Sequence, residues 1–123
     1  AGNVVDTDVF GGLEFATKVA GAKLILVLGH TECGAVKGAI DGVKMGNLTA
    51  LLAKIQSAVR ASGPGSSKDP AYVTKVTEKN VRDTIDEMKA RSSILRDLSA
   101  SGQIGIVGGM YDVSTGKITF LAD

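Results

Sequence analysis

The sequence predicts an α/β fold in which helices flank a mixed β-sheet that is closed by a hairpin. Short apolar runs at 24–28 and 104–107 alternate with helical patterns, as in proteins whose parallel strands are joined by crossover helices. The run at 24–28 is apolar at every position, which is typical of a strand buried on both faces. A further run at 118–121 follows the turn residues 114–116, which indicates the hairpin.

The helices are predicted from capping residues and from apolar spacing. They cover 9–20, 35–40, a segment after Asn47, a long segment from Pro70 and a short segment that ends at Gly102. Asp6 and Asp8 are suitable N-caps for the first helix, Asn47 for the third, and Ser92 or Ser93 for the last. These side chains accept hydrogen bonds from the free N–H groups of a first helical turn.

The two longest helical patterns carry clear apolar stripes. The stripes consist of Leu48, Leu51, Leu52, Ile55 and Val59 in one pattern and Val73, Val76, Val81, Ile85 and Met88 in the other. On the exposed side of the second, Arg82 with Asp86 and Glu87 with Arg91 are spaced for ion pairs. Three strands are few for such a sheet, so a further strand is expected to be missing or to come from a partner.

Composition excludes several classes of protein. The 123 residues suit a single domain, 1–123, and 44% apolar with 22% charged residues is a globular composition. The formal net charge of +1 gives no support for a nucleic-acid partner, and the longest apolar run is too short to cross a membrane. With one cysteine the chain cannot form an internal disulfide, so we expect a cytoplasmic protein.

Chemistry is concentrated in the turn that follows the first strand. His30 and Cys33 lie just beyond the carboxyl end of that strand and at the start of a helix, where ligands bind in open α/β sheets. A helix N-terminus favours anions and a thiolate, and an imidazole with a thiolate suits Zn²⁺. The spacing therefore makes a metal site one hypothesis for this turn.

Three alternatives exist for the same turn. In the first, Cys33 has a packing role only, as a small buried apolar residue, and His30 caps the end of the strand. Cys33 and His30 can also form a nucleophilic dyad, although such pairs usually come from separate segments. The spacing of Gly29 and Gly34 resembles a phosphate-binding loop, but Ala35 follows where that motif requires Lys, so this interpretation fails.

A zinc site needs at least three protein ligands, and the chain has one His and one Cys. A third ligand would have to be a carboxylate or lie outside these residues. The candidates are Asp6, Asp8, Glu32 and Asp41. We expect Glu32 to face solvent, and Asp6 and Asp8 to cap a helix instead.

Several segments together resemble the β-class carbonic anhydrases. Residues 1–3 (AGN) resemble the end of that family's R-N-x-[AG]-N segment, and 12–16 (GLEFA) resemble its G-S-[IL]-E-[YF]-A helix. Residues 28–37 (LGHTECGAVK) resemble the turn G-H-[ST]-x-C-G-[AG]-x-[KQ], the second zinc-ligand pair of the family. The end of the chain, from 106 to 112 (IVGGMYD) and through the hairpin, resembles the closing strands.

The resemblance implies an α/β fold around a largely parallel β-sheet flanked by helices, together with a site and a reaction. Zn²⁺ would be bound by His30 and Cys33, and the reaction would be the reversible hydration of CO₂ to bicarbonate, for which zinc lowers the pKa of water towards ~7. The Gly34 N–H would bind a substrate oxygen, Ala1 would be a small apolar pocket residue, and Phe15 would wall the pocket across a dimer interface. A homodimer or a higher homo-oligomer is therefore implied.

One family element has no counterpart in residues 1–123. The C-x-[DS]-S-R segment, which precedes the part matched at Ala1, supplies the first Cys ligand, the Asp-Arg pair and a central strand. Either a longer parent polypeptide carries it before Ala1, or the chain is a reduced homologue that holds metal weakly. The first residue is not Met, which favours a longer parent.

A binding or assembly module without catalysis is the alternative function, and a metal-free Cys33-dependent hydrolase or redox protein is a third.

Overall fold

The chain folds as helices around one small sheet, in a computed structural model that describes residues 1–122. The helices are α1 (Thr7–Glu14), α2 (Gly34–Asp41), α3 (Gly46–Ala53), α4 (Gln56–Ala61), α5 (Pro70–Arg91) and α6 (Ser93–Ala100). The strands are β1 (Leu24–His30), β2 (Gly105–Tyr111) and β3 (Ile118–Phe120), and one π-helical turn (Phe15–Val19) continues α1. No helix within residues 1–122 combines the length and the apolar character that a bilayer crossing needs.

The sheet has the order β1-β2-β3 and mixed direction. β1 and β2 pair in parallel, from Leu24 with Gly105 to His30 with Tyr111. β2 and β3 are antiparallel and form the terminal hairpin. The predicted α/β class, the parallel pairing and the hairpin are therefore confirmed.

One face of the sheet packs closely against the long helix α5. Gly29 of β1 and Gly108 of β2 lie beneath this helix, and a Cβ atom at Gly29 would come within 2.8 Å of Thr77 and Val81. Only glycine leaves room for so close an approach of a helix to a strand. The buried residues around this contact form one core with α1 and α6, and a second core lies between α2, α3, α4 and α5.

The opposite face of the sheet is open. Side chains alternate along β1, so that Ile25 and Val27 are buried whereas Leu24 and Leu26 are 58% and 38% exposed. Phe120 of β3 is 64% exposed. The prediction that the first strand is buried on both faces was therefore wrong. An apolar run gives the hydrophobicity of a strand, but whether a second layer covers it depends on the rest of the fold.

The helix ends agree with the sequence in some places and not in others. Asp6 caps α1 by accepting a 3.0 Å hydrogen bond from the Val9 N–H, as predicted, whereas Asp8, the other predicted cap, lies inside the first turn of the helix. The prediction that Asn47 caps the third helix was wrong. This helix, α3, begins at Gly46, so Asn47 lies inside it and Met45 is the N-cap residue. There the Thr49 hydroxyl accepts from the Met45 N–H at 2.7 Å and thereby closes the first turn from inside the helix.

The exposed side of α5 forms one of its two predicted ion pairs. Glu87 and Arg91 are paired at 2.7 Å. The pair of Arg82 with Asp86 is absent from the ion pairs of residues 1–122, because Arg82 donates instead to the backbone carbonyl of Ala122. Spacing along a helix permits such a pair, but a backbone acceptor nearby can replace it.

Gly29→Ala is expected to destabilise the protein by about 1–3 kcal/mol, because the added methyl would overlap Thr77 and Val81 under α5. Gly11→Ala is the matched control. A Cβ at Gly11 meets nothing within 4 Å, so this change is expected to stabilise α1 by about 0.5–1 kcal/mol. Urea unfolding of the two variants measures both values, and equal midpoints would contradict the close packing.

Ser92→Ala is expected to cost about 1–2 kcal/mol of folding stability. The buried Ser92 hydroxyl accepts from the Leu95 N–H at 3.1 Å and donates to Glu14 at 2.6 Å, so both partners would lose a bond. Ser93 follows as the first residue of α6, is exposed and supplies no cap, so Ser93→Ala should be nearly neutral. Thermal unfolding distinguishes the pair, and a larger loss in Ser93→Ala would show that the cap is wrongly assigned.

Candidate functional site

The candidate site is the turn between β1 and α2. β1 ends at His30, and Cys33 is the N-cap residue of α2, so the turn lies at the carboxyl end of the parallel strand pair. Glu32 has a φ of +58°, a left-handed conformation that is uncommon outside glycine. This residue bends the chain sharply enough for a strand to be followed directly by a helix.

The His30 imidazole is exposed and held by one hydrogen bond. Its Nδ1 lies 2.7 Å from the carbonyl oxygen of Thr31. A carbonyl can only accept, so Nδ1 must carry the proton and donate it. The lone pair of Nε2 is therefore the one available to a metal ion.

Thr31 is bound to the other end of the chain. Its N–H donates to the Tyr111 carbonyl at 3.0 Å, and its Oγ1 accepts from the Val113 N–H at 3.1 Å. The turn that carries His30 is thereby fixed to the end of β2 and to the start of the hairpin.

Cys33 is a buried free thiol with 4% of its surface exposed. It packs in the core between α2 and α5, among residues such as Val36 and Val73. Among the hydrogen bonds of residues 1–122 none joins its sulfur to His30, so the nucleophilic dyad has no geometric support. Burial of the thiol is compatible both with a packing role and with a ligand shielded from water.

Two of the four candidate carboxylates are engaged elsewhere. Glu32 is half-exposed and pairs with Lys37 at 2.5 Å, and Asp6 caps α1. Within residues 1–122 there is no group of three or more His, Cys, Asp or Glu side chains that could hold a metal ion. The donors present fit zinc in kind, as one imidazole and one thiol, but they amount to half of a ligand set.

The first three residues are bound next to this turn. The Asn3 side chain donates to the Leu28 carbonyl at 3.1 Å, and Thr84 donates to the Asn3 carbonyl at 3.2 Å. Asn80 donates to the Gly2 carbonyl at 2.5 Å. Gly2 itself faces Ile55 so closely that a Cβ there would come within 2.5 Å. The exposed Ala1 is thus held at the same end of the sheet as the turn.

The remaining predicted pocket residues differ in position. Gly34 is the first residue of α2, so its N–H has no acceptor within the helix and is free to bind an oxygen. Phe15 is 62% exposed and begins the π-helical turn, which packs against α1 and α6. His30, Cys33, Gly34 and Ala1 therefore share one end of the sheet, whereas Phe15 belongs to another part of the surface.

Sequence reasoning missed the polar residues that support the site. Asn80 and Thr84 are buried on α5, at positions that fall within its apolar stripe. Polar residues at helical spacing inside an apolar face were the available signal, because buried polar side chains need partners. Thr31 gave no such signal, since its partners are about 80 residues away along the chain.

Comparison with known proteins identifies the family of the chain. The family model for carbonic anhydrase matches residues 1–118. Carbonic anhydrase 2 of Mycobacterium tuberculosis is 32% identical over 121 residues, which cover 95% of this chain and 58% of that protein. The chain thus spans less than two thirds of the length of this relative.

Two solved structures have the same fold. The Coccomyxa β-carbonic anhydrase, in complex with acetazolamide, has a TM-score of 0.83 at 25% identity, over 99% of this chain and 58% of that one. A β-carbonic anhydrase from Sordaria macrospora, described as tetrameric, has a TM-score of 0.83 at 22% identity, over 97% and 62% of the two chains. By its sequence match over residues 1–118, the chain belongs to the β-class carbonic anhydrase family.

Proposed function

We propose that this chain serves the reversible hydration of CO₂ to bicarbonate and a proton. The observation that carries the proposal is the pairing of His30 and Cys33 in one short turn. His30 has a free Nε2, and Cys33 is a buried thiol three residues later. The chain belongs to the carbonic anhydrase family, and this membership is the reason for proposing CO₂ hydration as the reaction at this turn.

His30 and Cys33 would hold a zinc ion through Nε2 and Sγ. When bound, zinc would supply the Lewis acidity that activates water near neutral pH. Since residues 1–122 supply two donors, we propose that the remaining protein donors come from outside these residues. The hydrogen bond from Nδ1 to the Thr31 carbonyl orients the ring, and the burial of Cys33 keeps its sulfur from water.

The substrate would be bound by backbone and by small apolar groups. The Gly34 N–H, at the start of α2, is available to donate to an oxygen of CO₂ or bicarbonate. Ala1 would contribute a small apolar wall, because it is anchored beside the turn through Gly2 and Asn3. Neither residue supplies a proton-transfer group, so their role is to place the substrate.

We also propose that the chain works as a homodimer or a higher homo-oligomer. Phe15 and Leu24 are exposed apolar side chains that a second copy would cover, and Phe15 would then wall the neighbouring pocket. The tetrameric relative from Sordaria macrospora supports self-association. The cytoplasm is the proposed compartment, because a ligand thiol such as Cys33 stays reduced there.

A second candidate function is a binding or assembly module of the same fold without appreciable catalysis. It is favoured by one observation, that residues 1–122 contain two zinc donors rather than three. Two protein donors hold a metal weakly, and such a chain would retain the fold while losing turnover.

Freshly purified protein that includes both residues 1–122 and the donors proposed to lie outside them, prepared without chelators, is expected to contain about one zinc ion per chain. His30→Ala and Cys33→Ser should each lower zinc affinity by about tenfold or more, because each removes one of the two donors that these residues supply. Glu32→Gln is the matched control in the same turn, and it should bind zinc normally because Glu32 pairs with Lys37. Elemental analysis and competition with a chromophoric chelator measure these values, and an absence of zinc from the protein that includes those outside donors would overturn the metal site.

The same samples distinguish the hypothesis of an enzyme from that of a binding or assembly module. Hydration of CO₂, followed by stopped flow with a pH indicator, should exceed the buffer background in the zinc-loaded chain and fall to it in Cys33→Ser. Zinc binding with turnover at background would instead support the binding or assembly module.

Thiol labelling tests the metal-free Cys33 chemistry. Because Cys33 is 4% exposed, we expect a disulfide reagent to modify the native, metal-free chain at least about tenfold more slowly than the urea-unfolded chain. The unfolded chain is the internal control for reagent reactivity. Rapid labelling of the native chain would support a reactive nucleophile and argue against a buried ligand.

A further inference from the structure

We propose that Thr31 is a positioning residue that fixes the His30 ring and its tautomer by tying the turn to the terminal hairpin. The relevance of this role to metal binding rests on the proposed function. The role itself follows from three hydrogen bonds and concerns residues that lie far apart in the sequence.

All three polar atoms of Thr31 are engaged. The N–H donates to Tyr111 at 3.0 Å and Oγ1 accepts from Val113 at 3.1 Å, so two bonds join the residue to the end of β2 and the chain beyond it. The third atom, the carbonyl oxygen, accepts from Nδ1 of His30 at 2.7 Å. The ring is therefore held by an acceptor that is itself held from two sides.

The side chain of Thr31 matters because the backbone around it needs support. Glu32, the next residue, has a left-handed φ of +58°, which costs free energy in a residue with a side chain. The peptide between Thr31 and Glu32 carries the carbonyl that binds His30. The Val113 N–H restrains this peptide through Oγ1, and without that bond the carbonyl can rotate away from Nδ1.

The consequence for His30 concerns which nitrogen carries the proton. A bond from Nδ1–H to a backbone carbonyl selects the tautomer in which Nε2 has a free lone pair, and this is the nitrogen that could bind a metal. If the hydrogen bond between the Thr31 carbonyl and His30 Nδ1 is lost, both tautomers become accessible and the ring can rotate. Thr31 would thus act on a bound metal through the His30 imidazole, as a positioning residue.

The test uses nuclear magnetic resonance on the ¹⁵N-labelled, metal-free chain, in which His30 is the single histidine. At a pH at which the ring is neutral, long-range ¹H–¹⁵N correlations report which nitrogen is protonated. We expect Nδ1–H in the unmodified chain. Thr31→Val, which keeps the shape but removes the acceptor, should shift the tautomer ratio towards Nε2–H by roughly fivefold.

Matched variants separate this role from a general loss of structure. Thr31→Ser retains the hydroxyl and should preserve the ratio, whereas Thr31→Ala should reproduce the shift seen in Thr31→Val. Thr115→Val is the control on the same hairpin, because Thr115 accepts from Lys117 at 3.2 Å but does not contact the turn. Amide exchange at Val113 should accelerate in Thr31→Val and Thr31→Ala, and not in Thr115→Val.

Zinc competition on the same variants gives the second measurement. Thr31→Val should lower zinc affinity by about tenfold, and Thr31→Ser should not. An Nε2–H tautomer in the unmodified chain, or an unchanged ratio in both Thr31→Val and Thr31→Ala, would overturn the positioning role. A shifted ratio in a chain that binds no zinc would uphold the role of Thr31 and refute the proposed metal site alone.

Discussion

The close contact between α5 and the sheet is the constraint on which the site depends. Gly29 and Gly108 let the helix approach the strands, and Val81 fills the space above both of them. The same helix carries Asn80 and Thr84, whose side chains bind the backbone at residues 2 and 3. A wider separation would break these bonds and release the segment beside the turn. The residues of α5 that pack on the sheet and those that bind the first residues of the chain lie close together along the helix. The position of the helix therefore determines both the packing of the core and the position of the segment beside the turn.

Two side chains of the turn, His30 and Cys33, lie in different environments although only three positions separate them. His30 faces solvent and owes its orientation to a backbone carbonyl, whereas Cys33 owes its orientation to the core. An exposed imidazole can exchange ligands and protons with water, and a buried thiol is protected from oxidants. The left-handed backbone of Glu32 places these two side chains, one exposed and one buried, on the same turn.

Local patterns predicted much of the fold because they act over a few residues. The caps at Asp6 and Ser92, the hairpin after β2 and the parallel strands were all foreseen from such patterns. Predictions that depended on distant parts of the chain were less successful. Arg82 binds the carbonyl of Ala122, 40 residues later, and the exposure of Leu24 depends on which elements cover the sheet. The candidate donors could be named from spacing, but the contacts of Thr31 arise only when β1 and β2 pair.

The open face of the sheet, with Leu24, Leu26 and Phe120, has a consequence for the stability of the whole molecule. Each square ångström of apolar surface left in water forgoes about 25 cal/mol that burial would provide. Any molecule that covers this face binds the folded state and not the unfolded chain, so it adds to stability by mass action. If the covering molecule is a second copy of the chain, the melting point of the protein depends on its own concentration as well as on its sequence.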